Sequence, residues 1–183
     1  MKTASMFIIL VILCMSGCRE RKSLKELENL HARSAIEEQN KMIVRKWLLE
    51  VNEDNYEQLF GKLWAKDCKQ ILNSGKDTLE YEQFKELLAW LYAELPVITH
   101  EVHDIIARGD KVAAYFSAKA THDVTSFGVP ATGRDLEWSA IAIFQLSGGR
   151  IQFRWEVADM LGMYEQLGMK LQLDETTENQ SEM

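Results

Sequence analysis

Residues 97–122 read VITHEVHDIIARGDKVAAYFSAKATH. Two runs rich in β-branched and aromatic residues, Val97–Arg108 and Val112–His122, flank Gly109-Asp110-Lys111. A Gly-Asp turn signal between two such runs predicts a β-hairpin. Downstream the pattern repeats. A loop with Gly128, Pro130 and Gly133 leads to a strand over Leu136–Leu146, and Gly148-Gly149 turns the chain into a strand over Ile151–Ala158. Upstream the period changes to that of helices. Ile43, Trp47, Leu48 and Val51 form one apolar stripe, Leu59, Leu63 and Trp64 a second, and Phe84, Leu87, Leu88 and Leu91 a third that stops before Pro96. A short strand from Cys68 to Leu72 ends in the turn cluster Asn73-Ser74-Gly75-Lys76-Asp77, and a last helix covers about Met160 to Leu167. Helices followed by a meander of long strands predict an α+β fold, a curved antiparallel sheet wrapped on N-terminal helices with a cavity between the layers.

The 183 residues suffice for one such domain with short extensions. A hydrophobic fraction of 46% supports a packed core. The net charge of −7, without clustered Lys and Arg, argues against a nucleic-acid partner. Of the three cysteines, Cys14, Cys18 and Cys68, only Cys68 lies in the domain, so no disulfide framework or zinc spacing is available.

The first residues read as an address. Lys2 precedes the apolar run FIILVILCM, which is too short to span a bilayer of roughly 30 Å and ends in Ser16-Gly17. Met15-Ser16-Gly17-Cys18 resembles a bacterial lipobox, whose Cys carries the lipid and begins the mature chain. The expected division is a signal peptide at 1–17, a lipidated Cys18 with a charged helical tether at 18–39, the α+β domain at 40–170 and an acidic disordered tail at 171–183. Export to the bacterial cell envelope and membrane attachment through the lipid follow from that reading. Leu24, Leu27 and Leu30 in the tether fit either a partner contact or packing on the following helix, the second being favoured.

Gly128-Val129-Pro130-Ala131-Thr132-Gly133-Arg134 resembles the G-[IV]-P-P-T-G-R loop of SnoaL-like polyketide cyclases, with Ala131 in place of the second proline. Gly149-Arg150-Ile151, Trp155-Glu156, Asp159 and Gln166-Leu167-Gly168 resemble that family's ending G-K-I, W-D-x-x-D and Q-L-G. The resemblance spans the domain and implies the cone-shaped fold of the nuclear transport factor 2-like superfamily, which encloses a pocket for a small hydrophobic molecule and often forms a homodimer through its sheet. It implies closure of a polyketide methyl-ester ring by an aldol condensation, with one pocket carboxylate as general acid and base and no metal or cofactor. That carboxylate falls at Glu156, one methylene longer than the family's Asp, and the polar residue often found on the preceding strand is here Ala142.

Strand alternation sets Gln152, Arg154 and Glu156 on one face and Phe153, Trp155 and Val157 on the other. Glu156 is therefore read either as the catalytic carboxylate or as a rim residue paired with Arg154. Further pocket candidates are His122, Asp159, Trp138 and Trp155, with an N-cap role favoured for Asp159 and a structural one for His122. His100 and His103, three apart on a strand, face opposite ways and form no metal pair. Three functions stay open: an ester-cyclase-type enzyme acting through Glu156, a non-catalytic ligand-binding lipoprotein, and a dimeric interaction module.

Overall fold

The computed structural model describes residues 2–72, 76–170 and 172, with side chains described from Leu24 onward. The signal segment at 1–17 and the lipidation residue Cys18 lie outside the described side chains, and the tail at 171–183 lies outside the described residues except for Gln172. The elements are α1 (Lys2–Glu50), α2 (Tyr56–Leu63), β1 (Trp64–Leu72), β2 (Asp77–Glu80), α3 (Tyr81–Glu94), β3 (Thr99–Arg108), β4 (Lys111–Thr121), β5 (Asp135–Ser147), β6 (Arg150–Ala158) and α4 (Met160–Gln166). Among the described residues, no helix is long and apolar enough to cross a membrane.

The sheet runs in the order β2-β1-β6-β5-β4-β3, curved and unclosed. Its pairs are antiparallel except β1 with β6, which is parallel. This differs from the all-antiparallel sheet expected from the sequence. Between them the chain runs through β2, α3 and the β3–β4–β5 meander, and it returns to the other edge of β1 in the same direction. β2 was not expected, and Trp64, read as the end of a helix, begins β1.

Period-2 burial runs along the central strands, interrupted in β4 by the buried Ser117. Val112, Ala114, Phe116, Ala118 and Ala120 of β4, with Leu136, Trp138, Ala140, Ala142, Phe144 and Leu146 of β5, face inward and are buried. The helices cover this face. Trp47, Phe60, Trp64, Phe84 and Phe144 form an aromatic cluster at one end, with Trp47 and Trp64 edge to face at 5.3 Å and Trp64 and Phe84 at 4.9 Å. Towards the centre the inward residues shrink to alanines, at 114, 118, 140 and 142. Rings at one end and methyl groups in the middle leave a space under the helices.

α1 is fastened to the β3–β4 turn. Asn40 Nδ2 donates to the Gly109 carbonyl at 3.1 Å, and the Gly109 N–H donates to Glu37 Oε1 at 2.7 Å. Gly109 has φ of 64°, which its missing Cβ makes inexpensive. Ahead of this fastening, Asn29, Ala32, Arg33 and Ile36 of α1 border a cleft with the β3–β4 and β5–β6 turns. Leu24, Leu27 and Leu30 are exposed, and no separate helix follows for them to pack on because α1 continues unbroken to Glu50.

Among the described residues, no element covers the other side of the sheet. Ile106, Tyr115, Ile141, Ile143 and Val157 are exposed there, beside Trp155 stacked on Phe153 with centroids 5.6 Å apart.

Candidate functional site

The cavity between helices and sheet has a volume of about 70 Å³. Its walls are Trp47, Leu48 and Val51 of α1, Leu88, Leu91 and Tyr92 of α3, and inward residues of the sheet that include Phe116, Trp138 and Ala140. Into this apolar lining project His100 from β3 and Arg154 and Glu156 from β6. This is far less than the roughly 300–1,000 Å³ of a drug-sized site.

Arg154 and Glu156 are two apart on β6 and opposite Phe144 and Ala142 of β5, so they share the inner face. Arg154 Nη2 is in ion-pair contact with Glu156 Oε2, both side chains being largely buried. The guanidinium also lies over aromatic faces, its Cζ 5.4 Å from the Phe84 ring centroid and 6.0 Å from that of Phe144. Ala142 leaves the carboxylate unobstructed from the neighbouring strand. Arg154 Nε is buried without a hydrogen-bond partner among the described residues. Gln152, expected beside them, sits at a register shift: Ile151 pairs with Leu146 and Phe153 with Gln145, so Gln152 is the extra residue and breaks the alternation.

His100 was not identified from the sequence as a pocket residue, although alternation with Ile98 and Val102 turns it inward. Its ring is edge to face with Phe116 at 5.7 Å, and a backbone hydrogen bond joins it to Leu48. Leu48 lies in the last turn of α1, where carbonyls lack helical partners. Nδ1 is buried and has no hydrogen-bond partner among the described residues. Burial, then the nearby Arg154 charge, pushes the imidazole down to about 4, so it is neutral at pH 7. Tyr92, on the opposite wall, is pushed up to about 12 by burial and is a neutral phenol there.

The remaining sequence candidates divide. Trp138 lines the cavity. Trp155 does not, because it lies on the outer face with Phe153, where the Lys111 ammonium sits 5.9 Å from its ring. Asp159 caps α4, its Oδ1 accepting from the Gly162 N–H at 2.9 Å. His122 is fully buried but not in the cavity, and the Gly128–Arg134 loop folds around it. Its N–H donates to the Arg134 carbonyl, its carbonyl accepts from the N–H groups of Thr132 and Gly133, and Nδ1 lies 2.9 Å from Thr132 Oγ1. The loop is also tied to the end of α3, where the Phe127 N–H donates to Glu94 Oε2 at 2.6 Å. His103 sits on the outer face, 3.0 Å from Ser117 Oγ.

A model of the SnoaL-like polyketide cyclase family matches residues 42–167. IdmH, a proposed polyketide cyclase of Streptomyces antibioticus, is 26% identical with a TM-score of 0.65 over 71% of this chain and 99% of its own. A proposed polyketide cyclase of Acidithiobacillus ferrooxidans is 26% identical with a TM-score of 0.63 over 71% and 94%. AclR of Streptomyces galilaeus, a proposed hydroxylase, shares the fold at 22% identity and a TM-score of 0.64 over 70% and 95%. Among curated proteins, no sequence matches the chain.

Proposed function

Since the chain belongs to the SnoaL-like polyketide cyclase family, we propose that its cavity takes a small hydrophobic carbonyl compound and performs acid–base chemistry on it through Glu156. The supporting observation is the Arg154–Glu156 pair inside an otherwise apolar lining. In this reading Glu156 removes a proton from the carbon next to the carbonyl, and the Arg154 guanidinium stabilises the charge that develops on the carbonyl oxygen. The proton returns from Glu156 to carbon or oxygen. A cavity of about 70 Å³ suits a short carbonyl segment rather than a fused polyketide ring system.

Deuterium exchange next to the carbonyl of butan-2-one, followed by proton NMR in D2O, tests this chemistry. Acceleration by the protein that disappears in Glu156→Gln supports it. A rate equal to that of buffer, with butan-2-one bound, leaves a non-catalytic binding protein.

The location is a further proposal. We place the domain at the bacterial envelope through lipid on Cys18, on the strength of Met15-Ser16-Gly17-Cys18 after an apolar run. The mass of the membrane-extracted chain decides this. Its mature N-terminus is expected to be an acylated Cys18, and an intact Met1 ends the idea.

A second reading rests on the outer face. Exposed Ile106, Tyr115, Ile141, Ile143 and Val157, flanked by Lys119 and Glu101, form an apolar surface with a charged rim, suited to a homodimer. Ile141→Lys with Val157→Lys is expected to lower the mass seen by light scattering to one chain, and an unchanged mass rules out this interface.

A further inference from the structure

The polar atoms of the cavity form a pattern of their own. Arg154 Nε–H is a buried donor without a hydrogen-bond partner among the described residues. The Glu156 carboxylate has lone pairs beyond those used by Arg154. His100 adds a third group, an imidazole Nδ1 that is buried without a hydrogen-bond partner among the described residues. Buried polar groups of this kind are costly unless something answers them. A donor, an acceptor and an imidazole nitrogen are answered by a molecule with a carbonyl oxygen, an acidic proton and one further polar group.

Carbonyl oxygen is the acceptor, directed at Arg154. The acidic carbon next to it is one proton-bearing position, directed at Glu156. The further group is a hydroxyl, which meets an imidazole nitrogen either as donor or as acceptor, and the small apolar cavity favours it over larger polar groups.

We propose that His100 recognises a hydroxyl group on the ligand, so that the cavity selects hydroxy-carbonyl compounds over plain ketones of equal size. This rests on the reading of the cavity as a carbonyl site. His100 is a specificity residue in this arrangement and transfers no proton. The titratable or charged groups facing it are Arg154 and Glu156 from β6 and Tyr92 from α3, while α1 presents the Leu48 backbone and β4 the Phe116 ring.

Hydroxyacetone and butan-2-one differ by a hydroxyl in place of a methyl group and test the proposal directly. An apolar cavity alone prefers butan-2-one. With the full chain labelled with ¹⁵N at histidine, hydroxyacetone is expected to bind about tenfold more tightly than butan-2-one, the worth of one buried hydrogen bond. The His100 Nδ1 resonance is expected to move with hydroxyacetone and not with butan-2-one. His100→Phe is expected to abolish the preference for hydroxyacetone. His100→Gln, which keeps an acceptor, is expected to retain part of the preference and serves if the Phe variant does not fold. Binding of both ketones with equal affinity, or with Nδ1 unmoved, overturns the role of His100 and leaves the carbonyl site standing. Failure of both to bind overturns the carbonyl site itself.

Discussion

Gln70 of β1 stands directly across from Arg154 of β6 in the parallel pairing, and neither atom of the Gln70 amide has a hydrogen-bond partner in the protein. Gln70 is fully buried. An amide removed from water without compensation costs roughly 1–3 kcal/mol on mutational evidence. Gln70→Leu keeps the size and removes the unmet groups, so it is expected to raise stability by about 1–2 kcal/mol, read from urea unfolding. A loss of stability would mean that the amide is satisfied in solution.

The Arg154–Glu156 pair is expected to behave as a buried ion pair. Arg154→Met leaves the carboxylate without its cation and is expected to cost about 3 kcal/mol. Adding Glu156→Met is expected to recover most of this, since replacing both charges by apolar groups is often neutral. A double variant no more stable than the single one would show that the guanidinium matters through its packing on Phe84 and Phe144.

Acid is expected to act through His100. Its folded value of about 4 lies below the ordinary value of 6.5, so the unfolded chain binds more protons between the two. Stability from this group is therefore complete above pH 6.5 and falls as the pH drops towards 4, by about 3 kcal/mol in all. His100→Phe is expected to flatten that part of the profile, measured as the difference in urea midpoint between the two chains at pH 7 and pH 4.5. Parallel profiles would place the imidazole in water.

Cys68 is expected to be inert in the folded protein. It is fully buried, and burial, with the negative charge of Asp67 beside it, pushes the thiol up to about 11. In a chain beginning at Arg19, a thiol reagent at pH 8 is expected to label Cys68 only after denaturant is added. Prompt labelling of the native chain would contradict the packing around β1.

The sequence exposes this architecture unevenly. The β3–β4 hairpin and the β5–β6 turn are legible because two-residue alternation and glycine turns are local signals. β2 is four residues, Asp77–Glu80, with no apolar alternation, and declares itself only by pairing with β1. The parallel β1–β6 contact joins segments some eighty positions apart and leaves no local mark. In the site, alternation sends Glu156 inward and sets Trp155 on the opposite face, so Trp155 as a pocket candidate conflicted with the period already read. The family-like loop is recognisable as a motif, but its service to His122 depends on backbone hydrogen bonds that no side-chain pattern encodes. His100 was weighed only as a metal ligand, because its place in the cavity comes from α1 residues packed over it that lie far from it in sequence.

The bulge in β3, between Val102 and Asp104, has a consequence for how molecules of this protein meet. β3 lies at the end of the sheet, and a straight strand there offers a neighbour a continuous ladder for β-addition. Here the register breaks midway, and Asp104 places a carboxylate at the break, its Oδ1 accepting from the Ile105 N–H at 2.8 Å. An incoming strand would meet mismatched spacing and a charge, which disfavours the stacking of chains that leads to amyloid.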